Sequence, residues 1–309
     1  GLMGDNVWQL IELLLQLFLY LGIGFVIAKI KAVGESGVNT VLSDLVINIL
    51  LPCSILVSFR LDPTSDLINM ILLVIAASVF NQALCVVINL FAFKWFTKEQ
   101  QPSAKYAIVC PNAGFMGLPI CEGIYGLMGL MLGAVHQIPQ RIVMWTVGIG
   151  YYSKPDKSIK GMLKAFAHPC IVAVIIGFLM MVFGITLPAP INTVITKIGA
   201  CCTPLSMMLI GMILSDGSIA NMITNKTLYF TLLRLVVMPL IMYTATLPIH
   251  MDATARGVIV LMTALPAGAV SAILSVKYKM DAEFASNCLV VSTLFSCITL
   301  PLWVFVLGL

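Results

Sequence analysis

Charge is what this chain has least of. Only 10% of its 309 residues are Asp, Glu, Lys or Arg, whereas a soluble globular chain carries about 25%. That shortage excludes an ordinary cytosolic enzyme, a nucleic-acid binder, a secreted toxin and a disordered linker. Catalytic signatures are missing too. No GxSxG, HExxH or P-loop pattern occurs, so neither an enzyme nor an ATP-driven pump is expected. The nine cysteines form no CxxC pair and lie in apolar runs away from any histidine pattern. They read as packing residues, with no disulfide frame, metal site or cofactor expected. No basic segment precedes the first apolar run, so no cleaved signal peptide is expected. Gly1 and Leu2 read as additions ahead of a native Met3.

What the chain does have is apolar length, with 60% hydrophobic residues. A membrane-crossing helix takes about 20 residues, so ten crossings would use roughly 200 and leave no room for a soluble domain. Apolar runs bounded by charge, Gly and Pro predict ten such helices, at 7–28, 38–59, 67–93, 103–127, 128–152, 165–184, 190–214, 226–249, 255–277 and 284–307. The expected fold class is an all-α polytopic membrane protein, embedded in the lipid bilayer.

The runs repeat. Adding 152 to the first five overlays them on the last five, with Pro52 falling on Pro204 and Ser54 on Ser206. Five crossings per half is an odd number, so the second half enters from the opposite face. The chain therefore reads as two inverted repeats, 1–152 and 153–309, the build of many secondary transporters.

Lysine placement sets the orientation. Lys29, Lys31, Lys94, Lys98, Lys105, Lys154, Lys157, Lys160, Lys164, Lys226, Lys277 and Lys279 all fall at loops of one face. Arg60 and Arg256 alone lie on loops of the other, while Arg141, Lys197 and Arg234 fall within runs. The lysine face is expected to be cytoplasmic and both termini extracytoplasmic.

Two runs carry sequences that a plain lipid-facing helix avoids. Cys110-Pro111-Asn112-Ala113-Gly114-Phe115-Met116-Gly117-Leu118-Pro119 interrupts the fourth. Leu265-Pro266-Ala267-Gly268-Ala269 interrupts the ninth. At the offset of 152, Asn112 falls on Ala264 and Gly114 on Pro266, so the breaks correspond. Paired interruptions point to a transporter's binding site. Two crossing breaks would present half-helix N-termini, with free N–H groups suited to an anion, and Asn112 adds an amide that donates and accepts. The expected site is Pro111, Asn112, Ala113, Gly114, Leu265, Pro266, Ala267 and Gly268.

These residues carry a resemblance. CPNAGFMGLPI, LLPCSILVSF and LPAGAVSAILSVKYKMDAEFASNCLVVSTLFSCITLPLW resemble motifs of the auxin efflux carrier family, whose plant members are the PIN proteins. The resemblance spans the whole chain. It implies a ten-helix crossover fold related to bile-acid sodium symporters, a homodimer, and an elevator movement of a core (67–152 and 226–307) against a scaffold (7–59 and 165–214). It implies small organic anions as substrates: auxin-like acids, mono- or dicarboxylates. It also implies that Asn112 contacts the substrate, with Pro111 and Pro266 marking the breaks. The short linker Ser153–Lys164 departs from plant members and points to a bacterial-type, short-loop carrier.

Other polar residues inside the runs invite a role. Arg234 reads either as a partner for the substrate carboxylate or as a clamp on helix-end carbonyls. Asn81, Gln82, His136, Arg141 and Asp44 are candidates for ion coupling, Asp44 as the deep in-run acid and His136 as a proton carrier. Two amides without a carboxylate make a poor sodium cage, so sodium coupling is the lesser reading. Dimerisation finds weak support in Gly22-x-Gly24. The sequence thus points to a secondary-type carrier of small organic anions in the plasma membrane. A sodium-coupled symporter and a carrier-like ligand sensor are the alternatives.

Overall fold

The computed structural model describes residues 2–32, 38–152, 167–215, 222–268 and 270–308. Lys154, Lys157, Lys160, Lys164 and Ala269 lie outside them, as does the side chain of Lys277. Among the described residues the regular structure is helical, with one isolated antiparallel bridge between Pro111 and Ala267. In chain order the helices are α1 (Leu2–Lys29), α2 (Val38–Ser58), α3 (Ser65–Asn89), α4 (Gln101–Val109) and α5 (Ala113–Val143). Then come α6 (Pro169–Phe183), α7 (Ala189–Ala200), α8 (Cys202–Leu214) and α9 (Asn225–Thr246). The last three are α10 (Ala253–Thr263), α11 (Val270–Lys277) and α12 (Ala282–Val306). Among the described residues six stretches are long and apolar enough to cross a membrane: α2, α3, α5, Ala189–Met212, α9 and α12. Leu15–Lys29, α6 and α10 are shorter apolar helices.

Polar residues flanking the apolar runs set the helix starts. Thr64 accepts from Leu67 N at the head of α3, Asp252 from Thr254 N at α10, and Asp281 from Phe284 N at α12. Each satisfies an N–H that the first turn leaves without a partner.

Prolines explain the irregular turns. Pro52, Pro119 and Pro239 each stand two residues beyond a π turn, at Val46–Leu50, Ala113–Gly117 and Leu233–Val237. A proline ring clashes with the carbonyl four residues back and offers it no N–H. In all three cases that carbonyl lies in the wider π turn, which makes room for the ring. The carbonyl so freed by Pro239 is Leu235 O, and it accepts from Trp303 Nε1 at 2.8 Å. A buried tryptophan thereby locks α12 to α9.

The boundary between the fourth and fifth runs resolves at one glycine. Gly126 has φ 64° and ψ −151°, a conformation that L side chains rarely adopt, and it divides α5 into two arms. A Cβ on Gly129 would overlap the Cys121 carbonyl, so the second arm lies back along the first.

At one end of the molecule three inter-helix segments meet. Gln100 Nε2 donates to Asp281 Oδ2 at 3.1 Å, Lys226 Nζ donates to Gln100 Oε1 at 2.7 Å, and Asp281 N donates to Glu99 O. The N-terminal ends of α4, α9 and α12 therefore share a face. Elsewhere α1 packs along α8, and α2 packs on α6 and α7, with Gly177 beneath the Phe59 ring and Gly199 against Ser54.

Candidate functional site

The two breaks touch through their backbones. α4 ends at Val109 and α10 at Thr263, and the chain beyond each runs extended past the other. Asn112 N donates to Pro266 O at 2.8 Å beside the Pro111–Ala267 bridge. The approach is close: a Cβ on Gly268 would lie 2.9 Å from Cys110 O, so only glycine fits. Pro111, Asn112, Leu265, Pro266, Ala267 and Gly268 are thus assembled at one buried point.

Asn112 turns the chain. With φ −74° and ψ 58°, and Ala113 N donating to Pro111 O at 2.8 Å, it is the centre of an inverse γ-turn. Its carbonyl starts the next helix by accepting from Met116 N and Gly117 N. Two consequences follow for chemistry. The N–H groups of Gly114 and Phe115 meet no acceptor among the described residues, as at any helix start. Asn112 as a residue is 7% exposed, and its side chain makes no capping hydrogen bond to the helix it starts.

Side chains from four helices hold the crossing in place. Arg234, 0% exposed in the π turn of α9, donates from Nε to Leu265 O at 3.0 Å and from Nη1 to Ile108 O at 3.2 Å. One guanidinium fork thus binds a carbonyl of each break. Cys85 of α3 also donates to Ile108 O, at 3.5 Å. Gln140 Nε2 donates to Pro111 O at 3.2 Å, and Ala267 N donates to Ser292 Oγ at 3.1 Å. Gln140 and Ser292 escaped the sequence reading, since a back-bonded serine or a glutamine mid-helix carries no local signal.

A second guanidinium lies beside the first. Arg141, half-buried on the second arm of α5, bonds Gln137 Oε1 at 3.1 Å and Met144 Sδ at 3.7 Å. A Cβ on Gly114 would be 3.3 Å from its Nη2, which places that cation at the helix start carrying the free N–H groups. Leu51 of α2 reaches the same spot, 3.5 Å from it.

The remaining candidates are spread out. Asn81 and Gln82 are buried on α3, where Asn81 Oδ1 accepts from Cys85 Sγ at 3.9 Å and Gln82 Oε1 has no partner among the described residues. His136 is buried with both ring nitrogens unpartnered there, and its carbonyl accepts from Ser78 Oγ at 2.6 Å. Asp44 is exposed on the second turn of α2. Glu122, on the first arm of α5, accepts at Oε2 from Thr203 Oγ1 at 3.0 Å.

The class follows from this geometry. An all-helical, strongly apolar chain whose two interrupted helices meet at a buried polar point is built as membrane transporters are. The chain belongs to the membrane transport protein family, whose match covers residues 9–161 and 156–304, in keeping with its auxin-efflux-carrier-like motifs. It is similar to a transporter of Methanothermobacter thermautotrophicus, 24% identical over 304 residues spanning 96% of this chain and 98% of that one. The transporter MJ1031 of Methanocaldococcus jannaschii is 23% identical, over 86% of this chain and 89% of its own length. YfdV, a transporter of Escherichia coli, is 23% identical, over 72% of this chain and 76% of its own.

Proposed function

We propose that this transporter is a secondary-type carrier of small organic anions, with its site at the crossing of the two breaks. The observation that carries the reading is the Asn112 carboxamide, which makes no bond to the helix it starts, beside the free N–H groups of Gly114 and Phe115. A carboxylate accepts from all three, with the partial positive charge of the helix start behind them. Arg141 supplies the full charge, since its guanidinium stands at Gly114 with only neutral partners. Arg234 acts as the clamp, because its Nε and Nη1 are already committed to carbonyls.

In this reading the chain crosses the plasma membrane ten times, in inverted repeats 1–152 and 153–309, with both termini extracytoplasmic. The equal spacing of the half-helices supports it, since α4 begins at Gln101 and α10 at Ala253, 152 residues on. So does the meeting of Gln100, Lys226 and Asp281 on one face. A homodimer works as an elevator, its core carrying the crossing past the scaffold, and Leu51 at the Gly114 spot supports a site against that boundary.

The test is substrate-evoked current from proteoliposomes across a panel of mono- and dicarboxylates, with and without sodium and a pH gradient. A saturable response that Asn112→Ala abolishes, in protein of unchanged folded yield, is the expected result. Unchanged flux in that variant would remove Asn112 from the site. Arg141→Gln is expected to raise the half-saturating concentration about tenfold or more, the worth of one charge-assisted hydrogen bond. An equal half-saturation for wild type and Arg141→Gln would assign the charge elsewhere.

A further inference from the structure

A cavity of about 490 Å³ opens between α9 and α12, lined by Leu228, Thr231, Leu232, Val236, Phe295 and Thr299 among others. Its walls are side chains that the bilayer would cover: Leu232 is 55% exposed and Phe295 39%. The two threonines are unlike their neighbours. Inside helices a threonine hydroxyl ordinarily donates to a carbonyl three or four residues back, as Thr244, Thr246, Thr263 and Thr293 do here. Thr231 and Thr299 do not. Both hydroxyls are buried and have no partner among the described residues, and Thr231 as a residue is only 4% exposed. Two helices thus forgo their own hydroxyl bonds at this groove.

In hydrocarbon an unpaired hydroxyl is costly, so the groove is built for an occupant with a hydrogen-bond acceptor. No Asp, Glu, Lys or Arg lines it, which excludes a charged ligand at that point. We propose that the groove holds one membrane glycerolipid, whose ester carbonyl accepts from Thr231 and Thr299 and whose acyl chain lies along Leu232, Val236 and Phe295. The site stands apart from the anion site. Thr231 nevertheless lies one turn from Arg234, so the lipid braces the helix that carries the clamp.

Native mass spectrometry of the full-length protein tests this after delipidation and return of one diester phosphatidylglycerol. Wild type is expected to retain one tightly held lipid. The Thr231→Val/Thr299→Val variant, isosteric at both positions, is expected to lose about tenfold in occupancy, as two neutral hydrogen bonds would give. Thr244→Val, on the same helix but outside the groove, should retain it. A diether lipid of the same headgroup and chain length lacks the carbonyl and should bind wild type as weakly as the diester binds the double variant. Equal retention by wild type and the double variant would overturn the site, and equal retention of diester and diether would overturn the carbonyl contact. Matched thermal unfolding of the variants separates loss of the lipid from loss of the fold.

Discussion

Arg234→Met is expected to reach the membrane in much lower folded yield than wild type and to unfold at least several degrees lower. The side chain is 0% exposed, and it is the shared hydrogen-bond donor to both breaks, at Leu265 O and Ile108 O. Two effects oppose each other. Removing a buried charge relieves its desolvation cost, and apolar replacements of buried ion pairs are often neutral for that reason. Here, however, the acceptors are backbone carbonyls, which remain after the substitution. Leu265 O left unpaired costs about 1–3 kcal/mol, and Ile108 O keeps only the weaker thiol of Cys85, against the roughly 5–15 kcal/mol that holds a protein folded. The carbonyls cannot turn to their own helices, because the N–H four residues beyond Ile108, that of Asn112, is already given to Pro266 O. Loss of the fork should therefore separate the breaks, and the second effect wins. Arg234→Lys keeps the charge but has a compact head that does not span two carbonyls, so it should fall between the two. Asn112→Ala provides the contrast, since the crossing uses only the Asn112 backbone: it should unfold like wild type. Thermal unfolding followed by size-exclusion fluorescence reads all three. An Arg234→Met protein as stable as wild type would show that the breaks hold each other without the clamp.

How far the sequence carried this picture depends on the kind of residue. The breaks were legible because Pro and Gly act through their own backbones, and their positions 152 residues apart needed no tertiary information. Pro111, Asn112, Pro266 and Gly268 accordingly meet at one point. Arg234 was legible as a buried cation with two readings, substrate partner or clamp, but its acceptors were not, because they lie 31 and 126 residues away along the chain. Position within an apolar run does not show the side to which a residue points, and Asp44 is exposed. Glu122, next to a glycine-rich turn, was passed over, and only the neighbouring helix reveals its partner Thr203. The glycines of that turn look alike in sequence. Gly126 supplies a left-handed φ, whereas Gly129 supplies closeness, and only the path of the chain separates the two uses.

The same distinction yields a second large effect, at the contact of α1 with α8. A Cβ on Gly24 would overlap the Met208 carbonyl, and a Cβ on Gly211 would overlap the Leu21 carbonyl. Both obstacles are backbone, so no side chain can swing aside and the helices themselves must part. Close approach through small residues is how helices gain contact in a membrane, where the lipid already satisfies apolar surface. Gly24 was read as half of a dimer motif, yet its small size is spent within the chain. Gly211→Ala is therefore expected to destabilise by about 1–3 kcal/mol, the usual cost of overpacking. Gly24→Ala should cost a similar amount, and the double variant less than the sum, because helices parted by the first methyl already have room for the second. Gly22 is the internal control. Nothing lies within 4 Å of its Cβ position, so Gly22→Ala should leave stability unchanged or raise it by up to about 1 kcal/mol, the helix-propensity gain of alanine. Thermal unfolding of the four variants in one detergent separates these outcomes. If Gly22→Ala is the damaging change and Gly211→Ala is silent, α1 packs on a second copy of the chain and not on α8.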